Sequence, residues 1–411
     1  MKTILLSALV LLFSISTVYS QWISQTSGTT SALYSVSAVD NNVVWICGED
    51  GVILRTTNGG ENWSNVGTAP IVNDVYNIFG IDACNALVTR STSTEAIVWK
   101  TTNCGATWVE VFNQPMVYIN AIEIGPGGTG IMVGNPLFNN WSIWQTADYG
   151  STWDSLVTPL PQAGTEAGYV NSLYANGSSY WFGTNNNRIY YSPNSGSTWT
   201  AQSTPDLFSY AVWFNSLVGL SGGISGMKTT DGGTNWTVSS FPGSGSIKCI
   251  AGTGSAFWMS RNNIQIYKTT NSGDNWTTDY SAPFVVLDIA IARTGNRLWA
   301  VGLEGSISRS EGTVSINNIS SNIPDRYSLS QNYPNPFNPT TKIEFDIVKS
   351  GYTSLKVFNT AGQEVSKLVE QNLQPGTYEV SFDGGNLSSG IYFYTLSSGD
   401  FTETKRMVLV K

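Results

Sequence analysis

Polar and apolar residues alternate along this chain in runs too short for helices. From residue 33 to about residue 310, runs of four to eight residues rich in Val, Ile, Trp, Phe and Tyr are separated by turns of Gly, Asn, Ser and Asp. This is the pattern of short β-strands. The runs fall into groups of four. First strands read at 33–39, 75–81, 118–124, 169–175, 209–214, 246–252 and 285–292. Second strands include 43–48, 179–184, 256–260 and 297–302, and third strands include 52–57, 97–102, 264–270 and 306–310. Fourth strands are expected to begin at Trp63, Trp108, Trp153, Trp199, Trp236 and Trp276, spaced 45, 45, 46, 37 and 40 residues apart. Such a period is that of a four-stranded propeller blade.

A seventh unit supplies three strands and stops at 304–312. Its missing strand lies at the other end of the chain, in "QWISQ" at 21–25. The expectation is an all-β, seven-bladed β-propeller over 21–312, closed by the strand of Trp22 pairing beside 305–311. Closure of this kind removes two free sheet edges.

The third and fourth strands are joined by six copies of one motif: "RTTNGGENW", "KTTNCGATW", "QTADYGSTW", "YSPNSGSTW", "KTTDGGTNW" and "KTTNSGDNW". Their recurring residues are Thr56, Asn58, Gly60 and Trp63; Thr101, Asn103, Gly105 and Trp108; Thr146, Asp148, Gly150 and Trp153; Ser192, Asn194, Gly196 and Trp199; Thr229, Asp231, Gly233 and Trp236; and Thr269, Asn271, Gly273 and Trp276. An Asn or Asp side chain accepts backbone N–H bonds inside a turn, and Gly takes a positive φ. The Trp then buries a large ring beside the turn. The pattern resembles the Asp-box, or BNR repeat, of sialidases, sortilin-type receptors and photosystem II assembly factor-like propellers. In those families the motif lies on the blade periphery, away from the site. Asn at 58, 103, 194 and 271 favours a turn-shaping role over a charge role.

The N-terminus carries Lys2, an apolar run from Ile4 to Phe13, and Val18-Tyr19-Ser20. It reads as a signal peptide over 1–20, cleaved between Ser20 and Gln21. The run is too short to span a bilayer, and no transmembrane segment is expected after it. Beyond the repeats, 313–325 reads as a polar linker, and 326–411 as about seven alternating strands in a small Ig-like antiparallel β-sandwich. The segments "NYPNPFNPTT" (332–341), "VFNTAGQEV" (357–365), "LQPGTYEVSFD" (373–383), "LSSGIYFYTL" (387–396) and "TKRMVLVK" (404–411) resemble the type A C-terminal sorting domain of the type IX secretion system. The resemblance implies the type IX machinery as partner of 326–411. It also implies a secreted, extracellular or outer-membrane-surface location in a Gram-negative bacterium.

Charge narrows the partners of the repeats. Residues 21–325 hold eleven Lys and Arg against twenty Asp and Glu, a net of −9. An acidic body without a basic patch is a poor match for nucleic acid. The four cysteines, Cys47, Cys84, Cys104 and Cys249, match no zinc spacing. Cys84 and Cys104 fall in turns at the same end of one blade, which makes them the candidate disulfide; four free thiols are the alternative. The chain has no histidine, which removes Ser–His and Cys–His nucleophiles and His-based metal sites. No cofactor or metal is expected.

What remains is a binding or scaffold module for a protein or glycan ligand. Propellers bind on the face made by the blade-joining loops and the loops between second and third strands. There, Arg90, Phe138, Trp141, Arg188 and Arg261 are the candidate ligand-binding residues, as exposed aromatics and donors suited to sugars or peptides. A glycoside hydrolase is the enzyme alternative, because Asp40, Asp74, Asp82, Glu123 and Asp288 lie in or near first strands and such enzymes need two placed carboxylates. A structural surface protein without a specific ligand is the other.

Overall fold

The computed structural model describes residues 22–215, 217–310, 316–320, 322–384 and 387–411. The expected signal peptide and the Ser20–Gln21 cleavage site lie outside the described residues. Two compact units appear, one Ser20–Thr313 and the other holding Val314–Lys411.

In the first unit the described residues form seven four-stranded antiparallel sheets. Their first strands are Leu33–Ala38, Asn77–Gly80, Ile119–Ile124, Gly168–Asn176, Ala211–Asn215, Ile247–Thr253 and Val286–Ile291, and they define blades 1 to 7. Each first strand adjoins the next, and Leu33–Ala38 adjoins both Asn77–Gly80 and Val286–Ile291. The ring is therefore closed. Trp22–Gln25 is the fourth strand of blade 7, with Trp22 opposite Ser310 and Gln25 opposite Ile307.

Burial follows position within the blade. The second strand of blade 1, Val44–Gly48, is buried throughout, because neighbouring blades cover both its faces; the fourth strand of blade 2, Val109–Pro115, is largely exposed. Trp45, fully buried, packs with Ile78, Val88, Trp99 and Trp108 of blade 2. Its indole donates to the Asp82 carbonyl at 2.9 Å. Gly80 makes this approach possible, since a Cβ there would come within 2.3 Å of the Trp45 ring. Between blades 7 and 1, Trp299, Val301 and Ile307 pack with Leu33, Val44 and Leu54.

The six motif turns share one hydrogen-bond pattern. In blade 2, Thr101 Oγ1 donates to Asn103 Oδ1 at 3.0 Å and accepts the Gly105 N–H at 2.9 Å, and Asn103 Oδ1 accepts the Thr107 N–H at 2.9 Å. The same three contacts recur from Thr56, Thr146, Ser192, Thr229 and Thr269. Gly105 sits at φ 86°, in the left-handed region. The outer strands start one residue later than expected, at Ser64, Val109, Asp154, Thr200, Thr237 and Thr277. Each Trp is held by the turn or the preceding blade instead of the ladder: Trp108 donates to the Val66 carbonyl and Trp199 to the Gly196 carbonyl, both at 2.9 Å.

Cys84 and Cys104 are disulfide-bonded, with Cα atoms 3.7 Å apart, while Cys47 and Cys249 are free and buried. The Cys104 N–H also donates to the Cys84 carbonyl at 2.9 Å.

The second unit has two four-stranded antiparallel sheets around one core that includes Phe345, Leu355, Tyr394 and Met407. Tyr394 ties the segment before the first long strand to that core: its hydroxyl donates to the Ser330 carbonyl and accepts the Asn332 N–H, both at 2.8 Å. The linker expected at 313–325 is shorter than that, because Ile316–Ser320 pairs antiparallel with Gly376–Asp383. A polar composition does not prevent this, as an open strand edge offers backbone donors and acceptors to any neighbouring chain.

Candidate functional site

The blade-joining connections deliver the chain to the first strands from one face of the ring. On that face a tyrosine stands at or beside the start of the first strand in five successive blades: Tyr34, Tyr76, Tyr118, Tyr169 and Tyr210. All five are partly exposed. Their rings meet in two groups, Tyr34 to Tyr118 and Tyr169 with Tyr210. Tyr34 stacks on Tyr76 at 5.4 Å, Tyr76 leans on Tyr118 at 6.0 Å, and Tyr169 meets Tyr210 edge to face. Phe208 joins Tyr210 at 5.4 Å, and Lys248 of blade 6 lies over the same ring at 5.8 Å. Stacked aromatic rings with polar tips are suited to gripping apolar or planar groups.

The hydroxyls of Tyr34, Tyr76, Tyr118 and Tyr169 are held protonated by burial. Burial, aided by Glu49 and Asp74, pushes Tyr34 up to about 12, and burial takes Tyr118 to about 12. They therefore offer O–H donors; Tyr76 already donates to Asp74 Oδ2 at 3.4 Å.

Within the ring a polar layer spans the axis. Asn171 leaves the blade 4 strand at a register shift, with φ 62°. Its Nδ2 donates to Asp288 Oδ2 of blade 7 and to the Tyr34 carbonyl of blade 1, both at 3.3 Å, and its Oδ1 accepts from Asn77 Nδ2 of blade 2 at 2.7 Å. Asp288 Oδ2 also accepts the Val36 N–H at 3.0 Å. One side chain thus links blade 4 to blades 1, 2 and 7. Burial pushes the Asp288 carboxyl up to about 7, against the pull of its N–H donors.

At the opposite end Arg293 crosses from blade 7, donating to Ser37 Oγ at 3.0 Å and to the Gly80 carbonyl, with its guanidinium 4.4 Å from the Phe79 ring centre. Glu123 is near it. Burial raises that carboxyl to about 7, with the Arg293 charge opposing.

The expected ligand residues divide. Phe138 is 79% exposed, at a turn with φ 51°. Arg90 pairs with Glu95 at 3.6 Å, and Arg188 with Glu166 at 2.7 Å. Trp141 is buried, contrary to expectation: it packs edge-on against Phe182 and Tyr190 and donates to Glu166 at 3.3 Å. Arg261 is buried as well. It donates to the carbonyls of Pro242, Gly245, Phe241 and Ile224, stapling the blade-joining loop. Of the five, the structure brings together Trp141 and Arg188, which meet on the Glu166 carboxylate. Asp40 and Asp82 accept the N–H groups of their own turns, at 2.7 to 2.8 Å. The tyrosine arc was missed, although a Tyr at the head of the first-strand runs 33–39, 75–81, 118–124, 169–175 and 209–214 was its signal.

Residues 331–411 match the secretion system C-terminal sorting domain. This domain marks the chain for secretion through the type IX system to the cell surface or the extracellular space. Among the described residues no helix is long and apolar enough to cross a membrane. No curated protein matches the chain. The propeller is similar in fold to solved structures. YCF48 bound to D1 peptide is 17% identical, with a TM-score of 0.56, covering 70% of this chain and 96% of that one. YCF48 from Cyanidioschyzon merolae is 18% identical, with a TM-score of 0.55 and coverage of 70% and 98%. Streptogramin B lyase is 18% identical, with a TM-score of 0.52 and coverage of 70% and 96%.

Proposed function

We propose that the sorted protein is a binding module whose ring holds an extended protein or glycan segment across the tyrosine arc. The observation that carries this is the recurrence of a partly exposed tyrosine at Tyr34, Tyr76, Tyr118, Tyr169 and Tyr210 on one face. A fold-stabilising ring would be sealed in a blade core; these rings border the axis. Two-torsion aromatic side chains give contact area at small entropic cost. YCF48 has been solved with a peptide, so this fold can accommodate that ligand class. Asp40, Asp82 and Asp288 each accept backbone N–H groups, which supports binding over carboxylate-pair hydrolysis.

The test is a combined peptide and glycan array probed with the full chain and with Tyr76→Ala/Tyr118→Ala. Ligands held by the wild type and lost by the variant, with folding verified by circular dichroism, are the expected result. Absence of binding, or binding the variant retains, contradicts the reading.

A further inference from the structure

Resting on that reading, the charge around the arc identifies the ligand class. Glu49 and Asp50 form the turn between the second and third strands of blade 1, and Asp74 ends the connection into blade 2. All three acids raise the pKa of Tyr34, so their charges reach its ring, and Asp74 accepts from Tyr76. Backbone bonds fix two of them: Glu49 Oε2 accepts the Ala32 N–H and Asp74 Oδ1 the Asp50 N–H, both at 3.1 Å. Among the described residues no salt bridge neutralises them, whereas Arg90 and Arg188 on the same face are each matched by a glutamate. At the far end of the arc stands one cation, Lys248, over Tyr210. The face is uneven in charge: three acids stand beside the stacked pair Tyr34–Tyr76, against one acid, Asp206, in the connection to Tyr210 and one cation, Lys248, over its ring.

We infer that the arc takes an extended peptide segment carrying lysine or arginine, whose cation sits over Tyr34 and Tyr76 and faces Glu49 and Asp74. A cation over an aromatic ring gains from the ring quadrupole, and a nearby carboxylate adds to it. Lys248 fixes the direction, because it repels a cation placed at the blade 5–6 end. A neutral glycan would use the rings and leave this uneven charge unused.

Three ten-residue peptides test it by calorimetry with the full chain: alternating glycine and lysine, glycine and glutamate, and glycine and serine. The lysine peptide is expected to bind at least tenfold tighter than either of the others, and to weaken as salt rises from 50 to 500 mM. Glu49→Gln/Asp74→Asn keeps both carbonyl-type acceptors for the backbone N–H groups, so the loops should persist. It is expected to remove most of that preference. Equal binding of all three peptides, or a preference that survives in the double variant, overturns the inference. Tyr76→Ala sensitivity of an uncharged ligand would still leave the arc as the binding surface. If none of the peptides binds, the cationic class is wrong, and the array decides the arc itself.

Discussion

The Trp22 indole donates to Asp279 Oδ2 at 2.8 Å, joining residues 257 positions apart. Trp258 donates to the same oxygen at 3.0 Å, and the Trp22 ring stacks on Tyr280 at 5.3 Å. The N-terminal strand is thus bound to its own blade by the ladder and to blade 6 by one buried carboxylate.

Replacing either partner should loosen the ring. Trp22→Ala is expected to cost about 3–5 kcal/mol, the range for deleting a large buried aromatic. Asp279→Ala leaves two buried indole N–H groups without their acceptor, at about 1–3 kcal/mol each. Urea denaturation followed by tryptophan fluorescence measures both. A midpoint unchanged in Trp22→Ala would mean that the first strand does not close the ring.

The motif turns give a second expectation. Thr101→Val removes the oxygen that accepts the buried Gly105 N–H and should cost about 1–3 kcal/mol. Thr101→Ser restores the hydroxyl and should recover most of it. Asn103→Asp should be close to neutral, since Asp148 and Asp231 make the same turn. The three variants are compared by thermal melts.

Stability should depend on pH through the buried carboxyls. Asp288 and Glu123 are both raised to about 7 in the fold, so between the ordinary carboxylate range and pH 7 the folded state binds more protons than the unfolded one. Their contribution to stability is then full at acid pH and is lost as pH rises through about 7. Asp148, held low at about 2 by the Thr152 N–H and hydroxyl, acts in the opposite sense, but only below about pH 4. The melting temperature is expected to fall from pH 5 to pH 8, and to fall less in Asp288→Asn/Glu123→Gln. Parallel curves for the two proteins would contradict the assignment.

The disulfide can be counted. Unfolded without reductant, the protein should show two thiols, those of Cys47 and Cys249, and four after reduction. Linking residues 20 apart restricts the unfolded chain, and reduction should lower stability by about 3 kcal/mol in the chain-entropy account. Four thiols without reductant would exclude the bond.

Much of this architecture can be read from the sequence, because each blade repeats the same local demands. The strand period, the six turns and the displaced Trp22 strand all follow from spacing that the backbone must satisfy. The site was less legible. Trp141 and Arg261 occupy loop positions in the sequence, yet neighbouring blades cover them, and that burial depends on packing between repeats. Glu166 illustrates the point: from the connection between blades 3 and 4, its carboxylate gathers Trp141 of blade 3 with Arg188 and Tyr190 of blade 4, and no spacing rule announces it. Asn171 reaches three other blades through a register shift between Gly168 and Leu173 that is wider than the shifts at the same place in blades 1, 3, 6 and 7, and no residue of the motif foretells that width. Each tyrosine reads in its own run as an ordinary strand residue, and only closure of the ring sets Tyr34, Tyr76 and Tyr118 side by side.

The most direct test of the arc is tyrosine-selective NMR on the full chain, with ring carbons labelled and the strongest array ligand titrated in. The resonances of Tyr34, Tyr76 and Tyr118, assigned by single Tyr→Phe variants, should shift in a saturable manner while those of Tyr352 and Tyr392 in the sorting domain stay fixed. A saturating ligand that leaves all the arc resonances in place would contradict the proposed binding surface.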